Sequence, residues 1–338
     1  MTKNFEIARI SSVHRDQYSI LGNYGEVFAE ITGKLLYEAQ NLIDKPLVGD
    51  KVEVEYFNNN ELAIIHQIKK RTTILKRKTA GKKIDYQGIA ANIDYAFIVQ
   101  ALEADFNLNR LERYLVMINE AHIVPIIILS KKDLLTKEQQ DAILEELENR
   151  VKDYQIVLFS NKNGENLDQI RKLLKKDKTY CLLGSSGVGK STLLNNLLGA
   201  EIFATKEIRE KDGKGKHATT KRQMIKLKNG ALIIDTPGMR ELGNIDIKEG
   251  LNITYDEVTT FAKDCLFNNC THTHEKKCGV LAAVENKKLS QKRYDNYIKL
   301  RKEATYHSMS YLDKRRKDKN FGKMIKRVLK NTVKNHRR

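Results

Sequence analysis

Over the first 70 residues, apolar and polar side chains alternate in short runs: Glu6–Ile10, Gln17–Leu21, Glu26–Ile31, Lys51–Tyr56 and Leu62–Ile68. Turn formers separate them at Gly22-Asn23, Gly33, Gly49-Asp50 and Asn58–Asn60. A period of two bounded by such residues predicts a half-buried strand, and five strands in so short a span predict a small β-barrel of the OB type, a shape that often binds RNA without by itself establishing that function. From Ile93 onward the pattern changes. Tyr95–Gln100, Ile123–Leu129, Gln155–Phe159 and Thr179–Leu183 are short apolar strands, and Leu108–Glu120, Lys137–Val151, Leu167–Leu174 and Ser191–Leu198 carry helical spacing. Gln223–Leu227 and Ala231–Ile234 predict a hairpin turning at Asn229-Gly230. Strand–helix alternation of this kind predicts an α/β domain, with a mainly parallel sheet covered by helices on both faces. The expected division is a barrel over residues 1–70, a basic linker over 71–87, an α/β domain over 88–243 and a helical domain with a basic tail over 244–338.

Composition narrows the class. The chain has 338 residues, 41% of them hydrophobic, enough for two or three domains with real cores. No apolar run reaches the ~18 residues of a membrane span, and the amino-terminal residues lack an apolar signal segment, so a cytoplasmic protein is expected. Lys and Arg outnumber Asp and Glu by 61 to 43, a net charge of +18. The excess is clustered: Lys69–Lys83 holds eight basic residues and no acid, and Lys314–Arg338 holds twelve against Asp318 alone. Such clustering predicts a polyanionic partner rather than solubility alone, with Lys69–Lys83 as a solvated connector, an RNA-contacting arm, or both.

The chemistry concentrates at Gly184–Thr192. Gly184, Ser185, Ser186, Gly187, Val188, Gly189, Lys190, Ser191 and Thr192 satisfy G-x-x-x-x-G-K-[ST], after a predicted strand and at the start of a predicted helix. The glycines let successive backbone N–H groups converge on an anion at a helix N-terminus. Lys190 neutralises β/γ-phosphate oxygens, and the Ser191 hydroxyl suits Mg²⁺. Downstream, Asp235-Thr236-Pro237-Gly238 ends an apolar strand, placing Asp235 to hold Mg²⁺ and the Gly238 amide to approach a γ-phosphate. Between them, Gly213–Thr220 is flexible, basic and rich in hydroxyls. Guanine recognition needs an Asp for the base edge and a Lys stem over the ring. Ser130-Lys131-Lys132-Asp133 supplies Lys131 and Asp133, and Ser160-Asn161-Lys162 follows the next strand as support from the other side. These base-binding elements precede the phosphate loop, whereas ordinary GTPases place them after it.

Of four cysteines, Cys181 lies in the strand entering the phosphate loop and reads as a small buried hydrophobe. Cys265, Cys270 and Cys278 fall within fourteen residues around His272, a compact set that points to metal rather than disulfides. Three thiolates and an imidazole make a closed tetrahedral site for a structural zinc, with His274 as a competing ligand.

Taken together, Ser130–Asp133, Gly184–Thr192, Gly213–Thr220, Asp235–Gly238 and Cys265–Cys278 resemble, in that order, the motifs of the circularly permuted GTPases, and within them the ribosome small-subunit-dependent (RsgA-type) family. The resemblance covers nearly the whole chain. It implies an α/β P-loop GTPase domain in permuted order, an amino-terminal OB-type barrel and a carboxy-terminal helical zinc-binding domain. It further implies a monomer that binds the 30S subunit and 16S rRNA late in maturation, with GTP hydrolysis stimulated by the particle and coupled to release. Its Cys-x-His pattern favours His272 over His274 as the fourth zinc ligand. In the switch loop, the family's His-Thr-Thr reads His217-Ala218-Thr219, which assigns Mg²⁺ to Thr219 with Thr220 as fallback. Two further departures bear on activity. Ser130 replaces the usual Asn or Thr beside the base, and Met239 follows Gly238 where many GTPases carry a water-orienting Gln. Lys190, Thr219 and His217 are therefore the candidate catalytic residues, His217 being either a group ordered beside the attacking water or a contact to RNA. Two rivals stand: an rRNA-docking module with negligible turnover, and a P-loop ATPase or kinase.

Overall fold

The computed structural model describes residues 5–14, 17–79, 86–102, 106–151, 153–203, 222–235 and 247–310, with isolated residues between 312 and 323. Expectations placed on Gly213–Thr220, Thr236–Glu241 and Asn244, including the roles of His217, Thr219, Thr220, Gly238 and Met239, lie outside the described residues, as does most of the basic tail.

The five alternating runs form strands β1 (Glu6–His14), β2 (Gln17–Gly22), β3 (Gly25–Ile31), β4 (Lys51–Phe57) and β5 (Leu62–Ile68). Their order β1-β2-β3-β5-β4, closed by β1–β4 pairing and with β3 parallel to β5, makes a barrel. Inward positions such as Ile10, Tyr18, Ile20, Val52, Val54 and Ile65 fill it and are buried, as the period of two requires. The alternation does not anticipate the helix α1 (Gly33–Glu38), capped by Thr32, whose side chain accepts from Leu35 N at 3.2 Å.

Part of the basic stretch is also regular structure: β6 (Ile74–Lys78) pairs antiparallel with β7 (Tyr86–Ala91). Leu75 is buried beneath this ribbon. Arg71 turns inward, donating from Nε and Nη2 to the carboxylate of the fully buried Asp50 at 2.8 and 2.7 Å. Burial raises the Asp50 pKa, and the Arg71 guanidinium opposes that rise.

The second half of the sheet runs β10 (Gln155–Leu158), β9 (Val124–Ser130), β8 (Tyr95–Ala101), β11 (Thr179–Leu183), β13 (Leu232–Asp235) and β12 (Gln223–Lys226). All pairs are parallel except β12–β13. The hairpin turns at Gly230 (φ +88°), and the Asn229 side chain accepts from Ala231 N at 3.1 Å. The edge strand β12 bonds to barrel strand β1 at Ser12↔Gln223, so barrel and α/β sheet form one eleven-stranded surface. Helices α2 (Leu108–Glu120), α3 (Lys137–Arg150), α4 (Leu167–Leu173) and α5 (Lys190–Leu198) cover the sheet. Two apolar cores result, one packed around Leu111, Leu115 and Ile127, the other around Phe97, Leu182 and Leu193. Cys181 is fully buried in β11, and burial pushes its thiol up to about 12, leaving it an inert small hydrophobe.

The carboxy-terminal region is helical: α6 (Lys248–Thr254), α7 (Asp256–Ala262), α8 (Gly279–Glu285) and α9 (Gln291–Ser308). It is bound to α2 at close range. Gly250 of α6 sits so near that a Cβ there would lie 1.9 Å from Val116 O, and its N–H donates to Glu120 Oε2 at 2.7 Å. The fully buried Glu112 of α2 joins three elements. It accepts from Arg150 Nε of α3 at 2.6 Å, from Arg293 Nη1 of α9 at 2.9 Å and from Tyr255 OH at 2.9 Å, and it also bonds Asn296. Among the described residues, no helix is long and apolar enough to cross a membrane.

Candidate functional site

Because β8, β9, β10, β11 and β13 are parallel neighbours, their carboxyl ends share one edge of the sheet. Loops leaving that edge meet regardless of their order in the chain, which is where open α/β sheets bind ligands. Gly184–Thr192 leaves β11 at its centre. Asp235 ends the neighbouring β13, in register with Leu182 and buried. Ser130 ends β9 on the other side, and Ser160 follows β10.

Side chains tie these loops together. The Ser130 hydroxyl is fully buried and donates to the carbonyl of Val188 at 2.7 Å, with Gln100 O at 3.2 Å. Asn161 Nδ2 donates to Gly189 O at 3.1 Å, and Asn161 is held in turn by Asn196 of α5. Gly189 is irreplaceable for two reasons: its φ is +91°, and a Cβ would stand 2.6 Å from Asn161 Nδ2. Lys131 occupies the left-handed region (φ +62°) and opens a short 3-10 turn at Lys132–Leu134. That turn aims Asp133 at Ser160, whose hydroxyl donates to Asp133 Oδ1 at 2.5 Å while accepting from the N–H groups of Lys162 and Asn163. Lys132 pairs with Glu165 instead, outside this cluster.

Helix α5 starts at Lys190 with Gly189 as its cap, so its unpaired N–H groups face the loop. Lys190 Nζ is held over the loop by the carbonyls of Gly184 (2.8 Å) and Ser185 (2.7 Å). Ser186, Gly187, Ser191 and Thr192 complete the turn and the first helical residues. Sequence reasoning misses two contributors. Arg110, near the start of α2, donates from Nη1 to Ser185 Oγ at 2.8 Å. Asn196, in the last turn of α5, positions Asn161. Arg110 had a faint signal, since it opens the helix that follows a strand ending on the site edge; Asn196 had none.

A second cluster lies in the helical region. Cys265, Cys270, His272 and Cys278 bring their donor atoms within 4.8 Å of one another. Cys265 Sγ is 3.8 Å from Cys278 Sγ, and both lie 3.5 Å from His272 Nδ1. Metal–sulfur bonds of about 2.3 Å and metal–nitrogen bonds of about 2.0–2.1 Å, at tetrahedral angles, require edges of roughly 3.8 and 3.5 Å, so the spacing fits zinc. Supporting bonds fix the ligands: Tyr294 OH donates to His272 O at 2.7 Å, and Arg301 donates to the carbonyls of Thr271 and Cys270. His274 stands apart, exposed and bonded to Thr273. None of the four cysteines is joined in a disulfide.

Comparison with known proteins agrees with this geometry. Residues 68–245 match the RsgA GTPase domain family. The chain is 42% identical over 309 residues to Small ribosomal subunit biogenesis GTPase RsgA 2 of Lactiplantibacillus plantarum, covering 90% of this chain and 85% of that protein. It is 38% identical over 326 residues to RsgA 2 of Vibrio vulnificus, covering 96% and 89%. Among solved structures it is similar to YjeQ from Thermotoga maritima (TM-score 0.65, 25% identity, 89% of this chain and 99% of that one). It is equally similar to YloQ, a circularly permuted GTPase (TM-score 0.65, 26% identity, 90% and 97%). The order of its motifs, the shared sheet edge that reunites them and these matches agree: the chain belongs to the RsgA family of circularly permuted GTPases.

Proposed function

We propose that this GTPase acts in biogenesis of the small ribosomal subunit, binding the 30S particle and its 16S rRNA and hydrolysing GTP when the particle stimulates it. One observation carries the reading: the phosphate loop and the base-selecting loop, far apart in sequence, are bonded to each other through Ser130–Val188 and Asn161–Gly189. A nucleotide would then lie with its phosphates under Lys190 and the α5 N-terminus, and with its base between the Lys131 stem and Asp133. Ser160 orients the Asp133 carboxylate. In this chain the Ser130 hydroxyl is committed to the loop carbonyl, so its task is to set the distance between the two loops. Mg²⁺, when bound, would screen phosphate charge, held by Ser191, Asp235 and Thr219. Contacts to rRNA fall to the basic segments, which predicts binding that weakens steeply with salt.

Met239 can neither donate to nor accept from a water as a Gln does. Intrinsic turnover should accordingly be slow, and the particle must order another group. His217 in the basic switch segment is that group in our reading. A multiple-turnover phosphate-release assay tests both points. Wild type should hydrolyse GTP in preference to ATP, with stimulation by purified small subunits on the order of 10³-fold or more, within the range partner-supplied groups reach. His217→Ala should retain GTP binding and lose most of the stimulation. Undiminished stimulation would remove His217 from catalysis, and absence of any turnover would favour a docking module.

The zinc cluster is proposed to be structural, because four protein ligands leave no open position. Metal analysis should find about one zinc per chain, and Cys278→Ser should abolish it. Losing a stapling metal is among the few single changes that cost more than about 4 kcal/mol. Differential hydrogen exchange should show that loss as deprotection confined to residues 256–300, with the sheet unaffected.

A further inference from the structure

Although the whole chain carries +18, its barrel is acidic. Between Glu6 and Ile68 there are ten Asp or Glu against five Lys or Arg, a net of −5, so the rest of the chain holds +23. Four of these acids, Glu26, Glu30, Glu55 and Glu61, lie on or beside one face formed by β3, β5 and β4. On β3, Glu26, Phe28 and Glu30 point outward while Val27 and Ala29 are buried. Strand register extends this into two rows. Phe28, Leu62 and Phe57 lie side by side across β3, β5 and β4, and Glu30, Ile64 and Glu55 form the next row. Phe28 is 69% exposed and Tyr24 is 51% exposed.

A cleft of about 360 Å³ opens at the end of the apolar row, lined by Tyr24, Glu26, Phe28, Asn59, Asn60 and Glu61. Its far wall is the β4–β5 turn, where Asn58, Asn59 and Asn60 all adopt positive φ (50°, 55° and 71°), a conformation Asn tolerates better than other side chains. Among the described residues, Glu26, Glu30 and Glu61 have no cationic partner.

OB-type barrels bind oligonucleotides on the face of their second and third strands and with the loop between the fourth and fifth; β3 and the Asn58–Asn60 turn belong to that surface, yet here they carry aromatic rings among carboxylates. No Lys or Arg projects from it between Glu26 and Glu30, between Leu62 and His66, or between Glu53 and Phe57. Lys69 pairs with Glu53 at its border at 2.6 Å, but a phosphate backbone brought to Glu26, Glu30 and Glu61 would meet like charge. An extended segment rich in Lys and Arg meets the opposite: carboxylates for its head groups, ring faces for cation–π contact and an apolar row for the side-chain stems. We infer that the outer face of the barrel, centred on Phe28 between Glu26 and Glu61, is a docking site for a lysine- and arginine-rich segment of a protein partner, while RNA is held by the basic remainder of the chain. The inference is independent of the nucleotide site.

Charge makes the test selective. A cationic peptide is repelled by the chain as a whole, and interactions beyond about 8 Å are screened at physiological salt, so its binding must be local. The probes are a fluorescein-labelled twelve-residue peptide of alternating Arg and Leu and a labelled twelve-nucleotide single-stranded RNA, titrated with the full-length protein. Wild type should bind both. Glu26→Lys with Glu61→Lys should weaken the peptide at least tenfold and leave RNA binding equal or tighter. Phe28→Ala should weaken the peptide about fivefold and leave RNA binding alone. Unchanged basal GTP turnover in each variant certifies folding, since none of these residues approaches the nucleotide loops. The inference is overturned by failure of the peptide to bind, or by loss of RNA binding in Phe28→Ala. Peptide binding that emerges only after removal of residues 314–338 would also overturn it, making the chain's own basic tail the occupant.

Discussion

Asp133→Asn should exchange guanine for xanthine as the preferred base. A carboxylate accepts from the N1–H and the exocyclic amine of guanine together. An asparagine amide offers one acceptor and one donor, and the donor faces the guanine amine. Xanthine carries a carbonyl where guanine carries that amine, so the pairing is restored. Sites built around such buried polar contacts reject a mismatched partner by about 10⁴–10⁵-fold, and the preference should shift on that scale. Competition between GTP and XTP in a nucleotide-binding assay measures it. Ser160 sharpens the expectation because its hydroxyl already fixes Asp133 Oδ1 at 2.5 Å; Ser160→Ala should weaken GTP binding without changing the base preferred. If Asp133→Asn kept its discrimination for GTP over XTP, the base would have to be read elsewhere.

Glu112→Ala should loosen the carboxy-terminal helices from the GTPase domain. The carboxylate is fully buried between Arg150 and Arg293, each with a side chain only 10% exposed. Removing one partner of a buried ionic cluster costs about 3–5 kcal/mol, because the remaining charges lose their compensation. Arg293 retains Glu257 and the carbonyl of Thr254, and Arg150 retains Asn109, which places the effect near the lower end. At roughly 2–4 °C per kcal/mol for a large domain, Tm should fall by about 6–12 °C. Limited proteolysis should then cut between residues 247 and 290 while the sheet resists. Glu112→Gln keeps the shape and one acceptor and should fall between the two. The same change bears on coupling, since α2 also carries Arg110 to the phosphate loop two residues earlier. A flexible insertion near Asn244 and Glu112→Ala are accordingly complementary cuts, the first through the covalent path from the switch segment and the second through the packed one.

The contrast between these two sites shows what a sequence makes legible. Asp133, Lys190 and Asp235 announce themselves because each lies in a short segment where local spacing and a preceding strand restrict the chemistry. Their meeting follows from parallel strands alone, whatever order the chain delivers them in. Strand periods held for the same reason, since alternation in Glu26–Ile31 or Lys51–Tyr56 is a direct imprint of one buried face. Glu112 left no such mark. Its partners lie 38, 143 and 181 residues away, and within α2 it reads as an ordinary charge on an amphipathic helix. Ser130 was legible as a member of the base motif but not in its task, because a hydroxyl reaching Val188 depends on how closely two loops pack. Arg71 was misleading in the opposite sense: within a run of lysines it looks solvated, and only the buried Asp50 reveals that it belongs inside.

The bridge between Ser12 and Gln223 has a bearing on solubility. Strand β12 is the last of the nucleotide-binding sheet on that side, and an outermost strand with unsatisfied amides is a template for pairing with other molecules. Here β1 occupies that flank, and the barrel wall closes on itself through β4. Among the described strands of that sheet, β10, at the opposite end, keeps a bare flank, and it is four residues long. The amino-terminal module thus serves its neighbour as a selvedge, finishing a border that would otherwise invite fibrous self-association.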